Sequence, residues 1–479
     1  MISSPRVLSA VLVVALLMPG AGFAEEPAGR VLDWETGAGK SYLIPALELA
    51  GFVFALNQFN RHFIDSDEYG SDGDTIWKNL RTAPDLDKDP FSVNQLGHPY
   101  QGSIYYGIAR SAGLSYWESL GYTLVGSFLW ETGGETTPPS LNDHIATGIG
   151  GTFLGEAMFR MASLVLEGGG EQPPLWRELG AALLSPATGF NRLVFGERFR
   201  SVLPSRDPAL FLRLRLGATF TTNVQNAGLP NDVKAQEGMI DYSLTYGLPG
   251  KPGYRYKRPF DHFVFEFTAV PNASTVANAI ENVTVRGLLV GAAYEAGESY
   301  RGVWGLFGGY EYLSPQIFRV SSTNLSLGTT AQWWLSRTVA LQGTVLAGIG
   351  FGASGTVADK EERDYHYGVM PQALLWLRMI VGERAMIDAS ARQYVVVGTG
   401  SGGGVSSDNI GRELISRGTV GLTVRLYGPH ALGLQYTVSS RESSSPGVPD
   451  RHQSIQTVSL AYNFLGHRRF GAVEWRGPE

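Results

Sequence analysis

No cysteine occurs in the 479 residues. That excludes a disulfide framework, a thiolate nucleophile and a zinc–cysteine site. A basic excess is missing too: Lys and Arg number 38 against 44 Asp and Glu, for a formal net charge of −6. Nucleic acid is therefore not an expected partner. Long apolar runs are scarce, and a mean hydropathy of −0.04 excludes a polytopic helical membrane protein. Cofactor signatures are lacking: Gly400-x-Gly402-Gly403-Gly404 has no helix after it and so is no phosphate loop, and no cofactor is expected. No metal is expected either. Asp85-x-Asp87-x-Asp89 puts Pro90 where a calcium loop needs glycine and Leu96 where it needs Glu. That run, with Asp65-x-Asp67 and Asp72-x-Asp74, reads as solvated loop. What the chain does have is glycine, 61 residues, with 11% aromatics, a pairing that suits β-barrels with tight turns and aromatic girdles.

The first residues read as an export signal. Arg6 supplies a positive start, Val7 to Met18 an apolar run, and Gly22-Phe23-Ala24 small residues for cleavage. The run is shorter than the roughly 20 residues of a membrane-spanning helix.

From about Ala209 the apolar period becomes two. Leu210, Leu212, Leu214 and Leu216 alternate with Phe211, Arg213, Arg215 and Gly217. Val420, Leu422 and Val424 alternate with Thr419, Thr423 and Arg425. Many such segments reach the length of a tilted transmembrane strand. Their connections alternate between long polar stretches (224–236, 271–280, 352–363, 398–416 and 440–453) and short turns near Gly297, Ser336, Gly382 and Gly428–Pro429. The last strand, with Val458, Leu460, Tyr462 and Phe464, has the aromatic ending that barrel-assembly machinery reads, although a tail follows it. The fold class is α+β: an N-terminal helical domain followed by an antiparallel transmembrane β-barrel of roughly 12 strands. The expected divisions are a signal peptide at 1–24, the helical domain at 25–170, a linker at 171–205, the barrel at 206–466 and a tail at 467–479. Outer-membrane lipid is the expected surrounding, and His262, Glu266, Asp388, Arg392 and Arg425 are expected to face the lumen.

Ahead of the barrel the pattern is helical. Tyr42 to Phe59 is apolar on most faces but interrupted by Pro45, Glu48 and Asn57. Further helices are predicted over 98–113, 115–132 and 140–166, the last capped by Ser140-x-x-Asp143. A short amphipathic piece follows at Trp176–Leu184. His98, just before Pro99, is expected to be a cap residue. The domain is expected in the periplasm or lodged in the lumen.

Asp87-Lys88-Asp89-Pro90-Phe91, Asn94, and Gly97-His98-Pro99-Tyr100-Gln101-Gly102-Ser103 stand at fixed spacing, followed by Tyr105-Tyr106, Ala109-Arg110, Ser127, Trp130-Glu131, Asn142-Asp143, Thr147, Gly155-Glu156 and Arg160. On these, Asp87 to Arg160 resembles a family of uncharacterised bacterial envelope proteins known as a domain of unknown function. The resemblance implies a helical domain ahead of an outer-membrane barrel. It brings no established reaction.

Charged residues inside apolar helices cost several kcal/mol unless paired. Arg110 and Arg160 are expected to neutralise Glu131, Glu156 or Asp143, within a polar network that includes Asn94, Ser127 and Asn142. The rival reading is catalytic: His98 as acid or base, oriented by Glu131 or Asp143, with Ser103 or Ser127 as nucleophile. Two functions follow, a structural, binding or restricted-passage protein of the envelope, and a membrane-embedded hydrolase of envelope lipid or glycan.

Overall fold

The computed structural model describes residues 31–87, 89–226, 233–271, 279–357, 362–401, 411–445 and 448–474. The leader read at 1–24 lies outside these residues, as do the cap of the 398–416 connection and most of 271–280. The chain forms two compact units, one helical and one a barrel that begins at Asp207 and also takes in the short segment 89–91.

The helical unit contains α1 (Leu43–Phe63), α2 (Gly73–Asn79), α3 (His98–Ser111), α4 (Tyr116–Gly133), α5 (Gly151–Glu167), α6 (Leu175–Leu184) and α7 (Pro186–Phe195). Ser115 and Glu118 form a reciprocal capping box at the start of α4. Ser140 accepts the Asp143 N–H at 3.3 Å, so the predicted cap is present. Asp72 caps α2 by accepting the Thr75 N–H at 2.9 Å. That gives the Asp72-x-Asp74 run a structural task.

Two sequence expectations change. His98 is not a cap: its φ of −60° and ψ of −47° are helical, and α3 continues a π-helical turn at Val93–Gly97. Pro99 has no N–H, and its ring would crowd the carbonyl four residues back in a regular α-helix. A widened turn just before it relieves both demands. The stretch 171–205 is also not a bare linker. It carries α6 and α7, and the helical unit extends to Arg206. Its apolar residues are used in packing, with Ala181 against Ala162 and Leu166 of α5, and Ala187 in the main core with Phe52, Ile104, Tyr105 and Trp130. A second π-helical turn, His144–Gly150, leads into α5. Here α3 touches this turn and the start of α5 backbone to backbone: a Cβ on Gly102 would stand 1.9 Å from the Thr147 carbonyl oxygen, and one on Gly151 would stand 2.6 Å from the Gly102 Cα.

The barrel is closed, antiparallel and twelve-stranded, each strand beside its sequence neighbour and β1 paired with β12. Its strands are β1 (Leu210–Asn226), β2 (Gln236–Tyr246), β3 (Phe263–Ala269), β4 (Ile280–Ala296), β5 (Tyr300–Leu313), β6 (Phe318–Trp334), β7 (Val339–Thr356), β8 (Tyr365–Val381), β9 (Ala385–Ser401), β10 (Arg412–Tyr427), β11 (His430–Ser445) and β12 (Val448–Leu465). Alternation sorts the faces. Val420, Leu422 and Val424 are exposed while Thr423 between them is buried. Exposed Val290, Leu327, Val345, Ile349, Leu434 and Leu460 continue the outer apolar surface, and Trp333, Tyr427, Tyr462 and Phe464 ring the short-turn end. This is the outer face that lipid contact demands.

The polar stretch 440–453 was expected to be a long loop. Most of it is ladder instead, because β11 runs to Ser445 and β12 resumes at Val448. Polar residues do not end a strand whose backbone is paired; here Arg441 and Gln453 turn inward and hydrogen-bond each other at 2.7 Å. The tail also differs from a free end. Phe470, Ala472 and Val473 are buried against Phe211, Leu248, Trp334, Ala340, Ile380 and Met386, closing over the short-turn mouth.

Candidate functional site

The sequence-selected residues separate into two buried clusters. In the first, Glu156 of α5 is fully buried and accepts from Arg110 Nε at 2.9 Å, Arg160 Nε at 2.7 Å and the Tyr106 hydroxyl at 2.7 Å. Burial alone would raise the Glu156 carboxyl, but the two guanidinium groups outweigh it and hold the group below the usual carboxylate range. Arg110 also donates to the Leu114 carbonyl at 2.8 Å and lies over the rings of Phe159 and Trp34. Each charge has its partner, the arrangement a buried ion triad requires. Of the three carboxylates offered by the sequence, only Glu156 takes the arginines.

The second cluster surrounds the two π-helical turns. His98 Nε2 is 3.8 Å from Asp143 Oδ1, and its Nδ1 is hydrogen-bonded to the Thr147 hydroxyl at 3.2 Å. Asn142 Nδ2 donates to Asp143 Oδ1 at 2.7 Å, and Asn142 Oδ1 accepts from the Ser140 hydroxyl and the Asp87 N–H, both at 2.8 Å. Asn94 Nδ2 donates to Asp87 Oδ2 at 2.8 Å. Glu131 accepts the Ser140 N–H at 2.8 Å and does not reach His98 through any hydrogen bond among the described residues.

Burial governs the charge state here. It pushes the His98 imidazole down to about 4, against the opposing pull of Asp87. It pushes Asp143 well above the carboxylate range, with Asp87 adding to the effect, and raises Glu131 in the same way, with Asp143 adding. Burial thus works against charge on both His98 and Asp143, the opposite of what an imidazolium–carboxylate pair in base catalysis would need. Exposures of 5% for His98 and 3% for Asp143 leave no room for a substrate.

The two proposed nucleophiles go different ways. Ser103 donates its hydroxyl to the Tyr100 carbonyl at 2.6 Å. Ser127 is hydrogen-bonded to His144 Nδ1 at 2.9 Å. His144 was not singled out from the sequence; only its place one residue after Asp143 could have pointed to it. Phe128 stacks on its ring. Among the described residues no cluster of three or more metal-ligating side chains occurs.

The lumen holds a third set. Asp388 takes Arg378 at 2.6 Å and Arg213 at 3.0 Å. Glu266 pairs with Arg392, which also donates to Thr284 at 3.1 Å, and Arg286 lies between Glu266 and Glu311. Arg215 donates to Gln435 at 2.7 Å. The cavity between Arg286, Glu311, Asn324 and Arg392 measures about 10 Å³, space for one water. Of the five predicted lumen residues, Glu266, Asp388 and Arg392 join ion pairs, whereas His262 is hydrogen-bonded to the Gly247 carbonyl at 3.2 Å. The fifth, Arg425, stands at the rim and donates to the His467 and Arg468 carbonyls at 2.9 and 2.8 Å, securing the tail.

Comparison with known proteins matches residues 83–187 to the family described as "Domain of unknown function (DUF3943)". The match covers both helical clusters and stops before the barrel. No curated protein matches the chain. Among solved structures, the NanC porin is similar at 8% identity, over 52% of this chain and 98% of that one, with a TM-score of 0.27. The Pseudomonas putida toluene transporter TodX is similar at 9% identity, over 55% and 90%, with a TM-score of 0.24. An anion-selective porin from Comamonas acidovorans is similar at 9%, over 53% and 98%, with a TM-score of 0.22. Scores of this size bear no argument about activity.

Proposed function

We propose that the chain is an exported outer-membrane protein whose barrel is closed at rest, serving binding or restricted passage in the envelope. The observation that carries this reading is the lumen, crossed by the Arg213–Asp388–Arg378 and Glu266–Arg392 ion pairs, with a cavity of about 10 Å³ beside Arg286 and Arg392. An open porin keeps a water-filled channel. Export by the Arg6–Ala24 leader and insertion by barrel-assembly machinery through the Tyr462 and Phe464 ending belong to the same reading.

The test is single-channel recording in planar bilayers on protein extracted from outer membranes, with heat-modifiable gel mobility as the check on the folded barrel. The expected record is silent for wild type at moderate voltage. Steady porin-sized steps from wild type would overturn the closed-lumen reading, and absence from the outer-membrane fraction would overturn the location. The alternative, a hydrolase of envelope lipid or glycan using His98 with Asp143 or Glu131, is favoured only by the 3.8 Å approach of His98 to Asp143. The seal around both groups weighs against it.

A further inference from the structure

Three helices of the helical unit leave large apolar side chains on their outer faces. On α4, Ser119, Thr123, Ser127 and Glu131 are buried, while Trp117, Leu124, Val125, Phe128 and Leu129 are exposed. The buried polar groups are largely satisfied within the unit: the Thr123 hydroxyl donates to the Ser119 carbonyl, Ser127 meets His144, and Glu131 accepts from Ser140. On α1, Leu49, Phe52, Val53 and Leu56 are buried together with Asn57 and Asn60, while Leu43, Leu47 and Phe54 on another side are exposed. Asn57 Nδ2 donates inward to the Tyr69 and Gly134 carbonyls. On α6, Leu175, Trp176, Leu179 and Leu183 are all more than 60% exposed.

A helix apolar on every side belongs in a core or in lipid. In water, such faces would be covered by a partner, and a partner covers one patch. Here the apolar surface is spread over three helices, and on α1 and α4 polar side chains lie in the interior, the distribution found where the solvent is acyl chain. The α1 face has polar markers at both ends, with Lys40, Tyr42 and Glu118 bonded together at one and Arg61 and His62 at the other. Tyr42 to Arg61 rises roughly 28 Å at 1.5 Å per residue, comparable with the acyl region of a bilayer. Arg177 lies over the exposed Trp176 ring at 4.5 Å, an aromatic and cationic pairing suited to a membrane interface.

We propose that the helical unit meets lipid acyl chains directly, through the outer faces of α1, α4 and α6. It is then no water-bathed periplasmic module. The proposal shares with the barrel reading only the premise that the chain sits at a membrane.

The cysteine-free sequence permits a clean test. Single cysteines are placed in the full chain at Leu47, Val125 and Leu179, spin-labelled, and reconstituted in phosphatidylethanolamine–phosphatidylglycerol vesicles. Val290→Cys on the outer barrel wall serves as the lipid reference, and Glu35→Cys as the aqueous one. Relaxation by oxygen and by a water-soluble nickel chelate is then compared. The expected result is strong oxygen and weak nickel relaxation at the three helical positions, as at Val290. Strong nickel relaxation at Leu47, Val125 and Leu179 with a lipid-like Val290 overturns the proposal and leaves the barrel reading standing. Immobilised labels relaxed by neither agent also overturn it, because protein then covers these faces. A Val290 label relaxed by nickel overturns the barrel reading itself.

Discussion

The indole Nε1 of Trp334 donates to the carbonyl of Val473 at 2.9 Å, across 139 residues of chain. Gln332 donates to the same carbonyl at 3.1 Å and accepts the Val473 N–H at 2.9 Å, while Gln342 donates to the Gly471 carbonyl at 3.0 Å. Side chains of the inner wall thus hold the tail backbone as a neighbouring strand would.

Deleting 467–479 is expected to leave a folded barrel, because the deletion spares all twelve strands. Conductance is expected to rise only modestly, since the ion pairs of the lumen persist. Bilayer recording of the truncated protein, compared with full length, checks this. A truncated protein that no longer shows heat-modifiable mobility makes the tail a folding element instead.

Asp388→Ala leaves both Arg378 and Arg213 without their carboxylate. Breaking a buried pair by removing one partner costs about 3 to 5 kcal/mol, because it strands the other charge. The double variant Asp388→Ala with Arg378→Ala strands one guanidinium instead of two and is expected to be more stable than Asp388→Ala alone. Urea unfolding in detergent micelles reads the difference, and additive losses would show that the two side chains act independently.

Gly102→Ala is expected to be among the most damaging single substitutions, because a methyl group would strike the Thr147 carbonyl at 1.9 Å. Backbone on both sides leaves no flexible side chain to yield, and overpacking of this kind costs roughly 3 kcal/mol. Protease sensitivity of the helical unit checks it. A Gly102→Ala protein as resistant as wild type would mean that α3 and α5 can part without loss.

His98 gives a pH signature. Its folded value of about 4 lies below the ordinary 6.5, so the unfolded chain takes up its proton first as pH falls. Stability present above pH 6.5 is therefore lost between 6.5 and about 4. Asp143 and Glu131 act in the opposite sense: raised values favour the folded state at low pH and withdraw that support as pH rises. His98→Gln is expected to flatten the melting temperature over the window from 6.5 to 4. An unchanged profile would assign the acid sensitivity elsewhere.

Ser127→Ala removes one hydrogen bond to His144 and is expected to cost about 1 kcal/mol while leaving no lipid-hydrolysis phenotype. Covalent capture of Ser127 by a fluorophosphonate on wild type would revive the hydrolase reading.

The barrel was legible because alternation with period two, long strands and alternating loop lengths are all local in sequence. The twelve strands and the inward course of Glu266 and Asp388 follow from them. Less legible were features fixed by partners far along the chain. The stretch 171–205 read as a linker with one short amphipathic piece, which is α6; α7 was missed, because its packing depends on α3, far back in the chain. The π-helical turns depend on Pro99 and on the close crossing at Gly102, which periodicity does not encode. Pairing was foreseen in kind but not in detail. Which carboxylate takes Arg110 and Arg160 is set by the crossing of α3 and α5, and it placed Glu156 with the arginines while Asp143 went to His98. His144 was overlooked because a lone histidine beside a capped turn carries no local mark.

The tail leaves β12 at the barrel mouth, not through its wall. Undocking it breaks the bonds to Gln332, Trp334 and Gln342 without unzipping the β1–β12 seam. The molecule therefore has a low-lying excursion of its own, separate from global melting. Amide protons of Gly471 and Val473 should exchange faster than those of the strands around them, and a carboxypeptidase should trim the end of a barrel that is still fully folded.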